Sequence, residues 1–409
     1  MKILFITQFF YPDIQATSKI FRELCEDLAK TFCVNVVCGQ PLVEARRNRS
    51  RTAREEDHEG FHISRVFSAR RVKKTKFNRF VNHVSYFFGA LWKCLFLKQT
   101  DLVIFTSDNP LNVLIAVFFF RTRKVYLNQD LYAEQGRQVG ALKGLLLDVV
   151  DALQTLSYRI SDRVIVIGET MGKYLIEEKG VPPGKVIVIS NWADTEKIQP
   201  LEKDNAFARE HGITGDFIVM HSGRLGLTQN IEMLLECARE LKEYPDIRFL
   251  IIGEGEKRGS LKKTAREMSL ENVMFLQYQS EEDLNKVFSS ADVTVILYNT
   301  KLSHSLVPSR LYSFMACSRP VVASIDADCS ACKLIKKSEC GIAIELSDAA
   351  ALKDSIIKLY KDYDLRRSMG RKGREYVSEH VSRKLMTDKY RCAIEELMGE
   401  EGGEKDEQG

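Results

Sequence analysis

Leu302-Ser-His-Ser-Leu-Val-Pro-Ser-Arg-Leu-Tyr-Ser-Phe-Met-Ala-Cys-Ser-Arg-Pro-Val-Val-Ala323 closes on a short buried strand, Val321-Val322-Ala323. Leu311, Phe314 and Met315 recur at helical spacing just before it. Pro308 and Ser309 stand where that helix begins, Ser309 reading as its cap and Arg310 falling in the first turn. A helix N-terminus presents unpaired backbone N–H groups and partial positive charge, which suits a phosphate. An arginine beside it adds a planar, permanently charged fork matched to diphosphate oxygens. Alone, the same pattern describes a capped core helix with a solvated arginine. The flanking sequence favours the site.

Working outward, Phe217-Ile-Val-Met-His-Ser-Gly-Arg224 reads as a strand and its loop, and Ile231–Leu241 as a helix. Ile247-Arg-Phe-Leu-Ile-Ile-Gly253 is a strand ending in Gly253-Glu-Gly255. Asn272–Leu276, Asp292–Leu297 and Cys340–Ile344 are further strands, and helices run from Asp348 to about Leu397. The first half follows the same scheme. Lys2–Thr7, Cys33–Cys38, Phe61–Phe67, Asp101–Thr106, Lys124–Asn128, Arg163–Gly168 and Lys185–Asn191 read as strands with amphipathic helices between most of them. Pro41–Glu59 is polar, Arg-rich and expected to be a mobile loop. Strand–loop–helix repetition of this kind predicts doubly wound α/β domains. The first loop, Gln8–Thr17, has no glycine, so the dinucleotide fingerprint and with it an NAD role are unsupported. Asn128-Gln-Asp-Leu-Tyr-Ala-Glu134 puts polar groups at the carboxyl end of a parallel strand, where open α/β sheets place their sites.

A chain of 409 residues exceeds what one core supports, so two domains are expected. The boundaries read as 1–195 for the first Rossmann-like domain, 196–216 for a linker and 217–380 for the second domain. A C-terminal helix over 381–398 and a disordered acidic tail over 399–409 complete the division. Hydrophobic content of 44% and charged content of 28% describe an ordinary globular composition. Met1-Lys-Ile-Leu-Phe-Ile runs straight into a strand pattern without a cleavage site, and the apolar run Val113–Phe120 is too short to span a bilayer. A cytoplasmic chain, peripheral on the inner face of the cell membrane, is the expectation. Ten cysteines lack a disulfide framework, and Cys329-Ser-Ala-Cys332 has no second pair, so free thiols are expected rather than zinc or redox chemistry.

The net charge of +4 hides an asymmetry. Residues 1–200 carry 29 Lys and Arg against 21 Asp and Glu, and residues 42–83 alone carry 12 against 5. Arg70-Arg-Val-Lys-Lys-Thr-Lys76 precedes a helix bearing Phe77, Phe80, Val84, Phe87, Phe88, Leu91, Trp92, Leu95 and Phe96. A basic run beside an aromatic amphipathic helix fits an anionic membrane surface, here through residues 70–97. A core helix with a solvated flank fits the same residues equally well. No nucleic-acid motif accompanies the charge, so no nucleic-acid partner is expected.

Several segments in this order resemble the GT-B glycosyltransferases, and more narrowly the retaining family that includes sucrose and glycogen synthases (family 4). They are Ser222-Gly-Arg-Leu225, Gln229-Asn-Ile-Glu-Met-Leu-Leu235, Phe249-Leu-Ile-Ile-Gly-Glu-Gly255, Asn272–Leu276, Ala291-Asp-Val-Thr-Val295 and Pro320-Val-Val-Ala323, after Val186-Ile-Val-Ile-Ser-Asn-Trp-Ala-Asp194. The resemblance covers about residues 1–380. Val307-Pro-Ser-Arg310 and Asp130-Leu-Tyr-Ala-Glu134 are similar to runs in the O-antigen and capsule branch of N-acetylfucosaminyl transferases.

The resemblance implies two tandem Rossmann-like doubly wound domains with the active site in the cleft between them. It implies transfer of a hexosyl or N-acetylhexosaminyl group, with retention and without a metal or other cofactor. The donor would be a UDP-linked nucleotide sugar, and the acceptor a sugar on a polyprenyl diphosphate used in surface polysaccharide biosynthesis. By the same resemblance Arg224 and Arg310 hold the donor diphosphate, with Gly223, Gly253, Ser305, Pro308 and Ser309 around it and Tyr278 toward the base. Asp130 faces the acceptor or reacting sugar as the catalytic carboxylate. Glu134 stands with it as catalytic residue or loop support, and His83 or His304 as alternatives. Ser305 and Ser313 occupy positions where many members carry glutamates, and Gln229 a position where many carry lysine. Losing that lysine together with both glutamates leaves the electrostatic sum of the pocket similar. Asp326-Ala-Asp328 has the form of a metal motif of another fold but follows the wrong strand for it. The other readings are a nucleotide-sugar epimerase on the same fold and a non-catalytic partner.

Overall fold

The computed structural model describes residues 1–13, 16–41, 54–69, 76–97, 99–138, 140, 143–301 and 307–406. They divide into two compact units, Met1–Ser190 with Met386–Gly409, and Asn191–Leu385. The stretch expected as a linker packs within the second unit and carries a short helix, Ala206–Glu210, capped by Asn205. The C-terminal helix runs over Arg383–Asp406 and so takes in residues 399–406 of the acidic tail; residues 407–409 lie outside the described residues. Once a helix is nucleated, each added residue gains a backbone bond at little cost.

The first unit holds eight strands: β1 Lys2–Ile6, β2 Cys33–Gly39, β3 Glu55–His58, β4 Phe61–Val66, β5 Leu102–Thr106, β6 Arg123–Asn128, β7 Arg163–Val166 and β8 Val186–Val188. Their order is β3-β4-β2-β1-β5-β6-β7-β8. All pairings are parallel except β3 with β4. Most of these strands are near-continuous runs of Val, Ile, Leu and Phe, as a parallel sheet covered on both faces requires. The antiparallel edge strand β3 lies inside the segment expected to be a mobile loop. Glu59 and Gly60 both have positive φ, which matches the twist of a two-residue hairpin turn and folds Glu55–His58 back onto β4.

The Lys76–Leu95 helix crosses from β4 to β5 with an unusual division of its faces. Asn82, Tyr86, Ala90 and Cys94, four residues apart, are buried. Phe77, Phe80, Phe88, Trp92 and Leu95, with Phe96 just beyond, point outward, Phe88 being 63% and Trp92 68% exposed. Among the described residues no helix is long and apolar enough to cross a membrane. Arg70 to Thr75 lie outside the described residues.

The second unit holds β9 Phe217–Ser222, β10 Ile247–Ile252, β11 Val273–Leu276, β12 Val293–Leu297, β13 Val321–Ser324 and β14 Gly341–Ile344. The order is β11-β10-β9-β12-β13-β14, parallel throughout. One core lies between this sheet and the helices Ile231–Glu240, Arg258–Glu267 and Ala349–Lys361, with Val219, Leu234, Phe249, Ile251, Val295 and Leu352 inside it. In each sheet the chain first builds outward on one side and then resumes on the other. The reversal falls between β1 and β5 in the first sheet and between β9 and β12 in the second. Loops diverge at the carboxyl ends of such strand pairs and leave a crevice for a ligand.

Candidate functional site

The reversal in the second unit gathers most of the expected donor residues. Gly223 follows β9, and its N–H donates to the Ile252 carbonyl at 2.7 Å. The Leu225 N–H donates to the Glu254 carbonyl at 2.9 Å, so the loops after β9 and β10 run locked together. Gly253 has φ +149, a conformation open to glycine, and a Cβ there would overlap the Gly223 carbonyl. A Cβ on residue 223 would in turn overlap the guanidinium of Arg310. The two glycines thus let one backbone lie against another and an arginine lie against both.

Arg310 stands in the first turn of the Ser309–Ala316 helix. Burial pushes its pKa down, while Tyr278, which is hydrogen-bonded to it, and Tyr298 oppose that shift. Pro308, with extended ψ, is the cap position and offers no side-chain cap of its own. Ser309 is therefore the first helical residue and not the cap expected from its type. The proline before it supplies the extended entry but no side-chain acceptor for the first N–H groups. Arg224 is exposed and pairs with Glu256 at 2.8 Å. Gln229 accepts from the Gly226 N–H through Oε1 at 3.0 Å, and its carbonyl accepts from Lys257 at 2.9 Å. It braces the loop; the charge of the family's lysine is not replaced by it. Ser305 and His304 lie outside the described residues.

Beneath this loop is His221, buried at the end of β9, with neither ring nitrogen in a hydrogen bond of good geometry. Burial drives its pKa down to about 3, nearby Arg310 adds to the effect, and the Val295 backbone opposes it. The apolar alternation of the strand hid this residue and Tyr298. Their place follows from which strands are neighbours.

The first unit has a second polar centre, at the β1/β5 reversal. Asp108 is buried, and its Oδ2 accepts from Thr7 Oγ1 at 2.8 Å and from the N–H groups of Gln8 and Phe9 at 2.7 and 2.8 Å. Its Oδ1 accepts from Asn112 Nδ2 at 3.0 Å. Burial raises the Asp108 pKa, and hydrogen bonds from Thr106, which also donates to Oδ1, and from Phe9, Thr7 and Gln8 pull against the rise. Asp108 thus clamps the glycine-free first loop to the end of β5. Sequence reading passed over it.

Asp130 lies on the neighbouring loop after β6, where its N–H donates to Ser107 Oγ at 3.2 Å and its Oδ1 accepts from Gln135 Nε2 at 3.1 Å. Burial raises its pKa, Gln135 lowers it, and the Asp108 charge raises it again. A half-buried carboxylate with one oxygen free of hydrogen bonds among the described residues can accept from a sugar hydroxyl.

Glu134 is different. It is buried and accepts from Gln154 at 2.9 Å, Tyr174 at 2.9 Å and Lys179 at 2.6 Å, and Lys179 also pairs with Asp151 at 2.7 Å. Burial acts to raise its pKa, and the Lys179 and Gln154 contacts outweigh that and lower it. Both oxygens are engaged by the fold, an arrangement suited to loop support.

Asp326 accepts the Asp328 N–H at 3.1 Å, so Asp326-Ala-Asp328 is a local turn. Cys329 Sγ caps the Cys332 N–H at 3.3 Å, and burial raises the Cys329 thiol to about 11; both thiols are free. Among the described residues Glu26, His58 and Glu59 come within metal-ligand distance of one another, but Arg22 Nε already lies 3.2 Å from Glu26.

Residues 18–197 match the family model described as Glycosyltransferase Family 4, and residues 203–376 match that described as Glycosyl transferases group 1. The chain is 25% identical over 305 residues to the probable glycosyltransferase WbjE of Pseudomonas aeruginosa, covering 73% of this chain and 75% of WbjE. It is 19% identical over 317 residues to the capsular polysaccharide biosynthesis glycosyltransferase CapM of Staphylococcus aureus, covering 76% and 80%. The structure is similar to sucrose-phosphate synthase of Thermosynechococcus elongatus, with TM-score 0.78, 17% identity and coverage of 97% and 99%. It is also similar to Anabaena HepE in complex with UDP-glucose, with TM-score 0.75, 15% identity and coverage of 97% and 100%. At these identities the structural likeness speaks to the fold, the tandem Rossmann-like architecture called GT-B.

Proposed function

The chain belongs to the group 1 glycosyltransferases, and we propose that it moves a hexosyl or N-acetylhexosaminyl group from a UDP-sugar to a saccharide carried on a polyprenyl diphosphate. The observation that carries the donor side is the seat at the second reversal. There Arg310, held against Gly223, stands in the first turn of a helix whose cap residue, Pro308, offers no side-chain cap of its own. HepE, of like fold, binds UDP-glucose and UDP in its crystal structures, which supports a nucleotide sugar here.

As the anomeric carbon turns cationic, the leaving diphosphate gathers charge, and donors already aimed at it lower the barrier. Arg310 and the N–H groups of Ser309 and Arg310 supply that without a metal ion. Arg224 reaches the same oxygens once it exchanges Glu256 for phosphate. Tyr278 orients Arg310 and borders the base. Asp130 receives the acceptor hydroxyl, and transfer retains the anomeric configuration. Surface polysaccharide assembly of the O-antigen and capsule kind, in the N-acetylfucosaminyl branch, is the proposed setting. CapM and the putative colanic acid biosynthesis glycosyl transferase WcaI of Escherichia coli bear names of that kind. The two alternatives, epimerase and non-catalytic partner, find no favour in these relatives.

A polyprenyl-linked acceptor stays in the bilayer, so the chain must reach it at the surface. The outward aromatic face of the Lys76–Leu95 helix supplies apolar insertion, and the basic run before it attracts an anionic leaflet. The chain would then be cytoplasmic and peripheral on the inner face of the membrane. Incubation with a panel of labelled nucleotide sugars, with and without polyprenyl-diphosphate saccharides, tests the reading. Label entering the lipid-linked fraction supports it. No transfer from any donor, with no binding of UDP, overturns it.

A further inference from the structure

His83 sits on the Lys76–Leu95 helix where that helix passes the β1/β5 reversal of the first unit. Its Nδ1 lies 2.6 Å from Gln8 Oε1. The Gln8 amide is oriented from its other end, since Nε2 donates to the Asn82 carbonyl at 3.4 Å. Gln8 therefore offers its oxygen to His83, and only an Nδ1–H can answer it. The backbone of Gln8 is anchored in turn, its N–H donating to the buried Asp108 at 2.7 Å. The His83 carbonyl accepts from Asn109 Nδ2 at 3.2 Å, tying the helix to the loop after β5. With the proton fixed on Nδ1, the ring presents a bare Nε2, which carries no hydrogen bond among the described residues. Burial and the Arg79 charge keep the ring neutral, with a pKa near 4.

We infer that His83, its tautomer set by Gln8, accepts a hydrogen bond through Nε2 from a hydroxyl of the acceptor saccharide other than the attacking one, and so orients the saccharide for attack. This rests on the glycosyl-transfer reading above and adds to it a residue outside the Asp130 loop. The arrangement is that of a ligand-orienting histidine: one nitrogen spent on a fixed internal partner, the other open at the carboxyl edge of a parallel sheet.

Two variants separate the nitrogens. His83→Asn keeps a donor where Nδ1–H was and removes Nε2. His83→Gln gives up the Gln8 contact and restores a polar group near the Nε2 position. Expected for His83→Asn is an unfolding midpoint and UDP affinity equal to the parent, with kcat/KM for the acceptor down roughly tenfold, the equivalent of one neutral hydrogen bond. His83→Gln should recover part of that loss. Ring 15N–1H correlation of the parent, assigned by its disappearance in His83→Asn, should show a neutral ring protonated on Nδ1. A ring protonated on Nε2 overturns the proposal whether or not the variants fold, and so does a His83→Asn chain that transfers as the parent does. If the parent itself transfers from no nucleotide sugar, the functional reading fails first, and the nitrogen spectrum still decides the tautomer.

Discussion

The guanidinium of Arg310 occupies the space where a side chain on residue 223 would begin. That contact joins the loop after β9 to the helix after β12, and in the proposed diphosphate seat it gives the glycine a part without contact to the anion. Gly223→Ala should therefore act like a partial loss of Arg310. UDP affinity should fall about tenfold or more, by one misplaced charge-assisted contact, while the circular dichroism stays that of the parent. Calorimetric titration with UDP decides it; unaltered affinity would place the diphosphate elsewhere.

Arg310 and Arg224 differ in setting, and their variants should differ too. Arg310 is oriented by Tyr278, whereas Arg224 is exposed and must leave Glu256. Arg310→Ala should weaken UDP binding by roughly 1.5–3 kcal/mol, and Arg224→Ala by less, because an exposed contact competes with water and with Glu256. Arg310→Lys keeps the charge and loses the fork, so an intermediate loss is expected. Equal effects of the two alanine variants would contradict this ranking.

Two histidines make stability depend on acid. Both rings take up protons near pH 6.5 in an unfolded chain, but in the folded chain only near 4 for His83 and near 3 for His221. Between those values the unfolded chain binds more protons, so stability is full above about pH 6.5 and falls as pH drops toward 4. Each ring contributes a loss of about 2 kcal/mol between pH 7 and pH 5. Urea unfolding at the two pH values should show that difference shrinking by about 2 kcal/mol in His221→Leu. An unchanged difference would mean that His221 is not buried neutral.

Glu134→Gln should damage the fold more than the chemistry. It leaves Lys179 facing a neutral amide in a largely buried network, a loss of about 2–3 kcal/mol in unfolding free energy. Because the folded carboxyl has a lowered pKa, its contribution holds above the ordinary glutamate range and disappears as pH falls below it. Turnover per folded molecule should stay within a few-fold of the parent. A hundredfold loss of turnover at unchanged stability would restore Glu134 as a catalytic residue.

The proposed membrane attachment can be divided into two parts. Phe88→Ser with Trp92→Ser and Phe96→Ser alters only outward-facing side chains, so folding should survive while vesicle binding weakens at any salt concentration. Changing Arg70, Arg71, Lys73, Lys74 and Lys76 to Gln should abolish the preference for anionic vesicles, each charge being worth about 1 kcal/mol, and the parent's binding should fall with added salt. Equal flotation of the parent with neutral and anionic lipid, or none with either, would refute the attachment.

The parallel strands of both sheets were readable because a parallel strand buried on two faces leaves a near-continuous apolar run, as in Ile3-Leu-Phe-Ile6 or Val293-Thr-Val-Ile-Leu297, whereas the antiparallel edge strand β3 was not. The Arg310 region was readable for a related reason, since a helix start and its neighbouring arginine are local features. The two reversals are not local. Gln8 meets His83 across 75 residues and Asp108 across 100, and those meetings depend on β1 and β5 being neighbours, which no periodicity encodes. The same holds for Glu134, whose Lys179 partner lies three elements further on, and for Ser309, whose capping role Pro308 displaced. The Lys76–Leu95 helix shows the division within one element. Its amphipathic period stood in the sequence, but which stripe faces inward was settled by the sheet beneath it. The narrow row of Asn82, Tyr86, Ala90 and Cys94 packs inward, and the larger aromatics are left outside. Sequence by itself determined where apolar segments and turns fall, because those are set by neighbours along the chain. Tertiary structure alone decided which polar groups meet, because burial and hydrogen-bond partners are set by neighbours in space.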